Sequence, residues 1–167
     1  MLPNLQGSFI QLAGAQINID HCQVNELQAL LGKPTVIIGP ANIKMLSFDW
    51  QFGIINAFPG QVEKLCPSTQ IQLLHFVLDQ EIALPDIISW YQCEPAYYFI
   101  ESDSGLEHYA IFSLRMQVKF YPENSLVKVI GFVNQDHVLN CTCPECCLIR
   151  DQVKTVKKLE RVITQLH

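Results

Sequence analysis

The stretch from Val24 to Phe58 constrains the chain most, because within 35 residues it carries an amphipathic helix signal, a helix stop and a Trp-centred hairpin. Val24, Leu27, Leu30 and Leu31 recur at i, i+3, i+6 and i+7 and so fall on one helical face. Gly32 suits the left-handed position after a helix and Pro34 cannot continue one, which makes the predicted helix short and its end sharp. Upstream, Ile10, Leu12, Ile17 and Ile19 alternate with polar or small residues about Gly14-Ala15, so Phe9 to Asp20 reads as a β-hairpin. Downstream, Thr35-Val36-Ile37-Ile38 is β-branched throughout. Gly39-Pro40-Ala41-Asn42 then makes a turn before a strand from Ile43 to Trp50.

Past Phe58, Gln61 to Gln70 holds Pro67-Ser68 and reads as a loop. Ile71 to Leu78 is apolar on both faces, which predicts a central strand covered on both sides. Leu84-Pro85-Asp86 opens a short helix or turn that runs to Pro95 and is expected to pack Trp90 on the sheet. Ala96 to Ile100 and Tyr109 to Tyr121 form a second hairpin around Ser102 to Gly105. In its second strand Phe112, Leu114, Met116, Val118 and Phe120 oppose Ser113, Arg115, Gln117 and Lys119. Leu126 to Val133 is a further strand, and Ile149, Val153, Val156, Ile163 and Leu166 stripe a helix from about Cys146 to Gln165. The prediction is an α+β fold, mainly an antiparallel sheet with two short helices and a longer C-terminal helix. The second half loosely repeats the order of the first, which suggests a duplicated α+β unit, with halves 1–80 and 81–167 inside a single domain spanning 1–167.

A chain of 167 residues can bury about two-thirds of its unfolded surface. With 49% hydrophobic and 16% charged residues it is too apolar for disorder. Its net charge of −5 argues against nucleic acid as a partner, whose phosphates select clustered Lys and Arg, and suits a basic protein partner. No apolar run approaches the ~20 residues that span a bilayer, so no membrane association is expected. Seven cysteines without a secretion signal point to a reducing compartment, by default the cytoplasm.

Cys141, Cys143, Cys146 and Cys147, with His137 nearby, are the candidate metal ligands, since thiolates and imidazole bind zinc tetrahedrally. Cys143-x-x-Cys146 supplies one half of a zinc knuckle and the second half is missing, so no cofactor is expected and a zinc-binding module is the alternative. A thiol-dependent module is a related reading, because Cys143-Pro144-Glu145-Cys146 stands at a predicted helix start, where the dipole lowers a thiol pKa. Asp20-His21-Cys22 has the residue types of a nucleophile with a base, without an accompanying oxyanion-hole or orienting element, and no catalytic residue is assigned.

The residues Leu31, Gly32 and Pro34, followed by Asp49, Trp50, Gly53 and Ile54, carry a resemblance over roughly the first 80 residues. A strand pair, a short helix ending in Leu-Gly-x-Pro and a Trp/Gly-Ile hairpin resemble a family of small bacterial proteins that sit beside polymorphic toxin genes and are similar to immunity proteins. The resemblance implies a non-enzymatic protein that neutralises a cognate toxin by direct binding. Tight inhibitors work through a few buried anchors and charge steering. The candidate contacts are therefore Trp50, Phe52 and Phe58 and the acidic turn residues Glu101, Asp103 and Glu107. A structural subunit, a homodimer paired through its C-terminal helix, is the third reading.

Overall fold

A computed structural model describes residues 2–12, 14–100, 108–113, 115–140, 147, 150 and 151. It is an α+β fold built on two antiparallel sheets. The first is a three-stranded meander of β1 (Asn4–Gln6), β2 (Phe9–Leu12) and β3 (Ala15–Asn18), in which Ile10 pairs with Ile17. Alternation carries its energetics: Ile10, Leu12 and Ile17 are buried while Phe9 and Gln11 between them face out.

Helix α1 (Val24–Leu31) follows and has the predicted bounds. The backbone N–H of Gln23 donates to Glu26 Oε2 at 2.8 Å, and at the far end Gly32 (φ 86°) returns its N–H to Gln28 O at 2.9 Å. Val24 and Leu27 are buried, and Leu30 and Leu31 pack partly buried against the same core.

Then come β4 (Thr35–Ile38), β5 (Ile43–Trp50), β6 (Gly53–Phe58) and β7 (Leu73–Ala83), followed by α2 (Leu84–Tyr91). The strands β8 (Tyr97–Ile100), β9 (His108–Ile111), β10 (Met116–Tyr121) and β11 (Leu126–Val133) complete the second sheet, and α3 (Gln135–Asn140) follows. The eight strands lie in the order β4-β5-β6-β7-β11-β10-β9-β8. Each run of four is a simple meander preceded by a short helix, and the two runs meet where β7 pairs antiparallel with β11.

One face of this sheet makes the core. Leu46, Phe48, Ile55, Leu74, Phe76, Val118, Ile130 and Phe132 are all buried there against the three-stranded sheet, against Val24 and Leu27 of α1 and against Leu84 and Ile87 of α2. Phe76 and Phe132 meet edge to face across the β7–β11 seam at 5.4 Å. On the opposite face, α3 sets Val138 against Ile111 and Val133, and the residues beyond it are half-buried or exposed. The face of β7 expected to be covered therefore carries Leu73, His75 and Val77 only half-buried.

Two further expectations are corrected. The single strand expected from Tyr109 to Tyr121 is broken into β9 and β10 by a tight turn. In it Phe112 and Ser113 donate to Met116 O and Arg115 N donates to Ser113 Oγ, so the sequence alternation runs through a reversal of direction. Trp90 does not pack on the sheet; it is 48% exposed, and Tyr91 turns inward instead, its hydroxyl donating to Pro3 O at 2.5 Å and its phenol pushed above its ordinary pKa by burial. Helix α3 was not anticipated. The longer C-terminal helix falls largely outside the described residues, of which Cys147, Arg150 and Asp151 are helical.

Gly53 closes the β5–β6 turn at φ 141°, and a Cβ placed there would sit 2.0 Å from Val77 O. Neither the dihedral nor the backbone of β7 can yield cheaply. Gly53→Ala is expected to cost about 3 kcal/mol or more, read as a lowered urea midpoint; a loss under ~1 kcal/mol would mean that β6 and β7 are not apposed this closely.

Candidate functional site

A cleft of about 870 Å³ opens where the end of β3, the loop before β7 and the start of α3 converge. Asp20, His21, Gln61, Gln70, Gln72, Asn134, Asp136, His137 and Asn140 line it, a set with almost no apolar side chain. Its floor is a hydrogen-bonded knot. Arg115 donates to Asp20 from Nη2 at 2.8 Å and from Nε at 3.2 Å, and the backbone N–H of Gln135 donates to the same carboxylate at 3.0 Å. Asn134, 7% exposed, donates from Nδ2 to Asp20 O and accepts at Oδ1 from the N–H groups of Asp136 and His137, capping α3.

Burial would raise the pKa of Asp20. The Arg115 side-chain hydrogen bond, the Gln135 N–H and the charges of Arg115 and His21 outweigh burial and hold it below the ordinary carboxylate range. The charge of Asp20 is thus neutralised and the first N–H groups of α3 are occupied within the protein, so this part of the cleft joins the two sheets rather than offering a reactive group. The Asp20-His21-Cys22 triplet does not assemble a nucleophile. Cys22 is buried and its thiol is pushed up to about 12, first by burial and then by Glu26.

A second, smaller hollow of about 350 Å³ lies at the β5–β6 turn, lined by Phe52, Leu2, Leu78, Ile82, Asp79 and Glu81. The backbone sets it: Asp79 N donates to Phe52 O at 3.0 Å, which ties the turn to β7. Trp50 stands behind Phe52 with ring centroids 5.2 Å apart, and its other side packs edge-on to Phe76 at 5.3 Å. Of the three predicted aromatic contacts, Trp50 is therefore a support partly buried against the core, and Phe52, 36% exposed, is the one presented.

Phe58 points to the opposite face of the sheet, against His75 at 5.1 Å, and is not brought together with the other two. Glu101, Asp103 and Glu107 lie outside the described residues. The acidic groups that accompany Phe52 are Asp79 and Glu81, which sequence reading passed over because they stand in a strand rather than a turn.

Of the predicted metal ligands, Cys141, Cys143 and Cys146 lie outside the described residues. His137 lines the large cleft, where burial lowers its pKa, and Cys147 accepts a hydrogen bond from Arg150 Nη2 at 3.0 Å. Among the described residues, the free cysteines Cys22, Cys66, Cys93 and Cys147 are scattered, and no three His, Cys, Asp or Glu side chains are placed to hold a metal ion.

His75 sits on the sheet face opposite the core, with its ring beside Gly131, where a Cβ would stand 3.2 Å from the ring. Burial first, and then the charge of Lys119, lower its pKa to about 4. A histidine neutral in the fold and protonated in the unfolded chain contributes stability that is present above about pH 6.5 and is lost as pH falls toward 4. Unfolding of the parent chain should therefore become easier across that window, and His75→Leu should flatten the slope there; an unchanged slope would mean that the ring is not desolvated. Asp20→Ala should cost about 2–3 kcal/mol at pH 7 by stranding Arg115 and the Gln135 N–H, measured by chemical denaturation. Because the pKa of Asp20 is lowered in the fold, its contribution in the parent chain should fade only below about pH 4.

Among the described residues no helix is long and apolar enough to cross a membrane. Comparison of the chain with protein-family models, with curated proteins and with solved structures finds no match.

Proposed function

We propose that this chain is a non-enzymatic binding protein that takes a basic protein partner, and that it serves as a cytoplasmic bacterial immunity protein that neutralises a cognate toxin by direct contact. The observation that carries the reading is the hollow at the β5–β6 turn, where an exposed aromatic ring, Phe52, shares a small concavity with two exposed carboxylates, Asp79 and Glu81. Leu2, Leu78 and Ile82 supply an apolar wall for the stem of a long side chain, and the carboxylates suit a cationic head. A net charge of −5 steers a basic partner toward such a surface, while a rigidly backed aromatic contributes affinity. The toxin-directed form of the reading rests on the resemblance carried by Leu31, Gly32, Pro34, Asp49, Trp50, Gly53 and Ile54, which places its hairpin at this same turn.

The test replaces Gln51, beside Phe52, with a photo-crosslinking residue in the native host, identifies the crosslinked protein, and measures its affinity for the purified parent chain by calorimetry. A single basic partner, bound one to one and toxic unless the chain is co-expressed, is the expected result. The triple variant Phe52→Ala, Asp79→Lys, Glu81→Lys should then bind at least tenfold more weakly, about 1.4 kcal/mol, with an unchanged unfolding midpoint. A loss below tenfold, or an acidic partner, would overturn the assignment of this surface.

A further inference from the structure

The hollow beside Phe52 exists because β7 carries residues that β11 does not match. Val77 pairs with Val129 and Ile82 with Val127, so the four residues Leu78, Asp79, Gln80 and Glu81 stand against the single residue Lys128. The surplus cannot lie flat in the ladder and bends out as a bulge, a device that re-aims side chains. Strand alternation stops there: after the buried Leu78, the three residues Asp79, Gln80 and Glu81 are all exposed. On its other side the bulge is tied to the β5–β6 turn, where Gly53 pairs with Leu78 and Asp79 N donates to Phe52 O at 3.0 Å. Turn and bulge together bring Gln51, Phe52, Asp79, Gln80 and Glu81 to one concavity.

We infer that this hollow takes an arginine side chain of the partner in preference to a lysine; the inference rests on the reading of the hollow as the partner-binding surface proposed above. What the hollow offers is acceptors. Two carboxylates and the side-chain amides of Gln51 and Gln80 line it and no Lys or Arg does. Among the described residues neither Asp79 nor Glu81 has an ion-pair partner. A guanidinium carries five N–H donors in a planar fork, enough for two parallel bonds to one carboxylate and further bonds to the other and to an amide oxygen. An ammonium is a point charge with three donors.

Phe52 supplies the second distinction. Its exposed ring is held by Trp50, which is itself packed on Phe76, so it offers an aromatic surface that is already ordered before anything binds. A guanidinium stacks flat on such a ring and sheds its hydration more readily than an ammonium. The methylenes of an arginine stem lie against Leu2, Leu78 and Ile82, which delivers the head to the ring and the carboxylates together.

The experiment is a titration of the full chain, followed amide by amide by nuclear magnetic resonance, with two capped tripeptides, acetyl-Gly-Arg-Gly-amide and acetyl-Gly-Lys-Gly-amide. The arginine peptide should shift the amides of Phe52, Asp79, Gln80 and Glu81. It should bind about three- to fivefold more tightly than the lysine peptide, the size of a cation–π contact at an exposed site. Phe52→Leu should remove that difference and leave lysine-peptide binding in place. Asp79→Asn with Glu81→Gln should weaken both peptides by about threefold or more, and the same spectra report that each variant keeps its fold. Equal binding of the two peptides, or an arginine preference that survives Phe52→Leu, would overturn the inference and leave the basic partner standing. If neither peptide shifts these amides, the hollow is not a cation site, and the contact surface of the proposed function falls with it.

Discussion

Everything in this molecule hangs on the pairing of β7 with β11. Each four-stranded run alone is a narrow meander with a single short helix, too small to enclose a core. Joined along that seam they make one sheet wide enough to take both helices and the three-stranded sheet on a single face. The seam is stitched by Phe76 edge-on to Phe132 on the core side and by His75 over Gly131 on the other, where a large side chain meets a gap on the partner strand. Pairing strands some fifty residues apart also carries a loop-closure cost, which places this step late in folding.

Seen from the seam outward the two runs are alike, β7-β6-β5-β4 on one side and β11-β10-β9-β8 on the other, each preceded in sequence by a helix of eight residues. The arrangement is what a doubled unit would give: fourth strands meet at the centre and first strands become the two edges. The halves differ in what they carry. The first bears the hairpin with Trp50 and Phe52; the second bears Arg115 and Asn134, which reach across to the segment after β3 through Asp20. One ion pair and one buried amide thus fasten the small sheet to the large one at a place where few apolar side chains are available.

Much of this was legible in the residues. The helix from Val24 and its stop at Gly32, the strands at 35–38, 43–50 and 126–133 and the antiparallel character followed from periodicity and turn chemistry, which are local. What escaped was decided by distant partners. The break between β9 and β10 hides inside an unbroken alternation because Arg115 is drawn to Asp20, ninety-five residues away in sequence. Trp90 and Tyr91 are neighbours on α2 and face different ways, and it is Tyr91 that turns to the core, where its hydroxyl reaches Pro3 O. At the candidate site Phe52 was found from its place in the hairpin, whereas Asp79 and Glu81 join it only once β7 runs past the turn. Even α3 had a signal in hindsight: Asn134 followed by Asp136 is the pattern of a capped helix start.

The even, mirrored strand order has a consequence for how many copies can meet. A sheet has two ends, and among the described residues they are unlike strands, β4 and β8. Copies joined β4 to β4 form a closed pair whose two outer ends are both β8, whereas copies joined β4 to β8 would add one after another without limit. Whether joined chains would be a finished object or the start of a filament therefore turns on the four residues Tyr97–Ile100, at the far end of the sheet from β4.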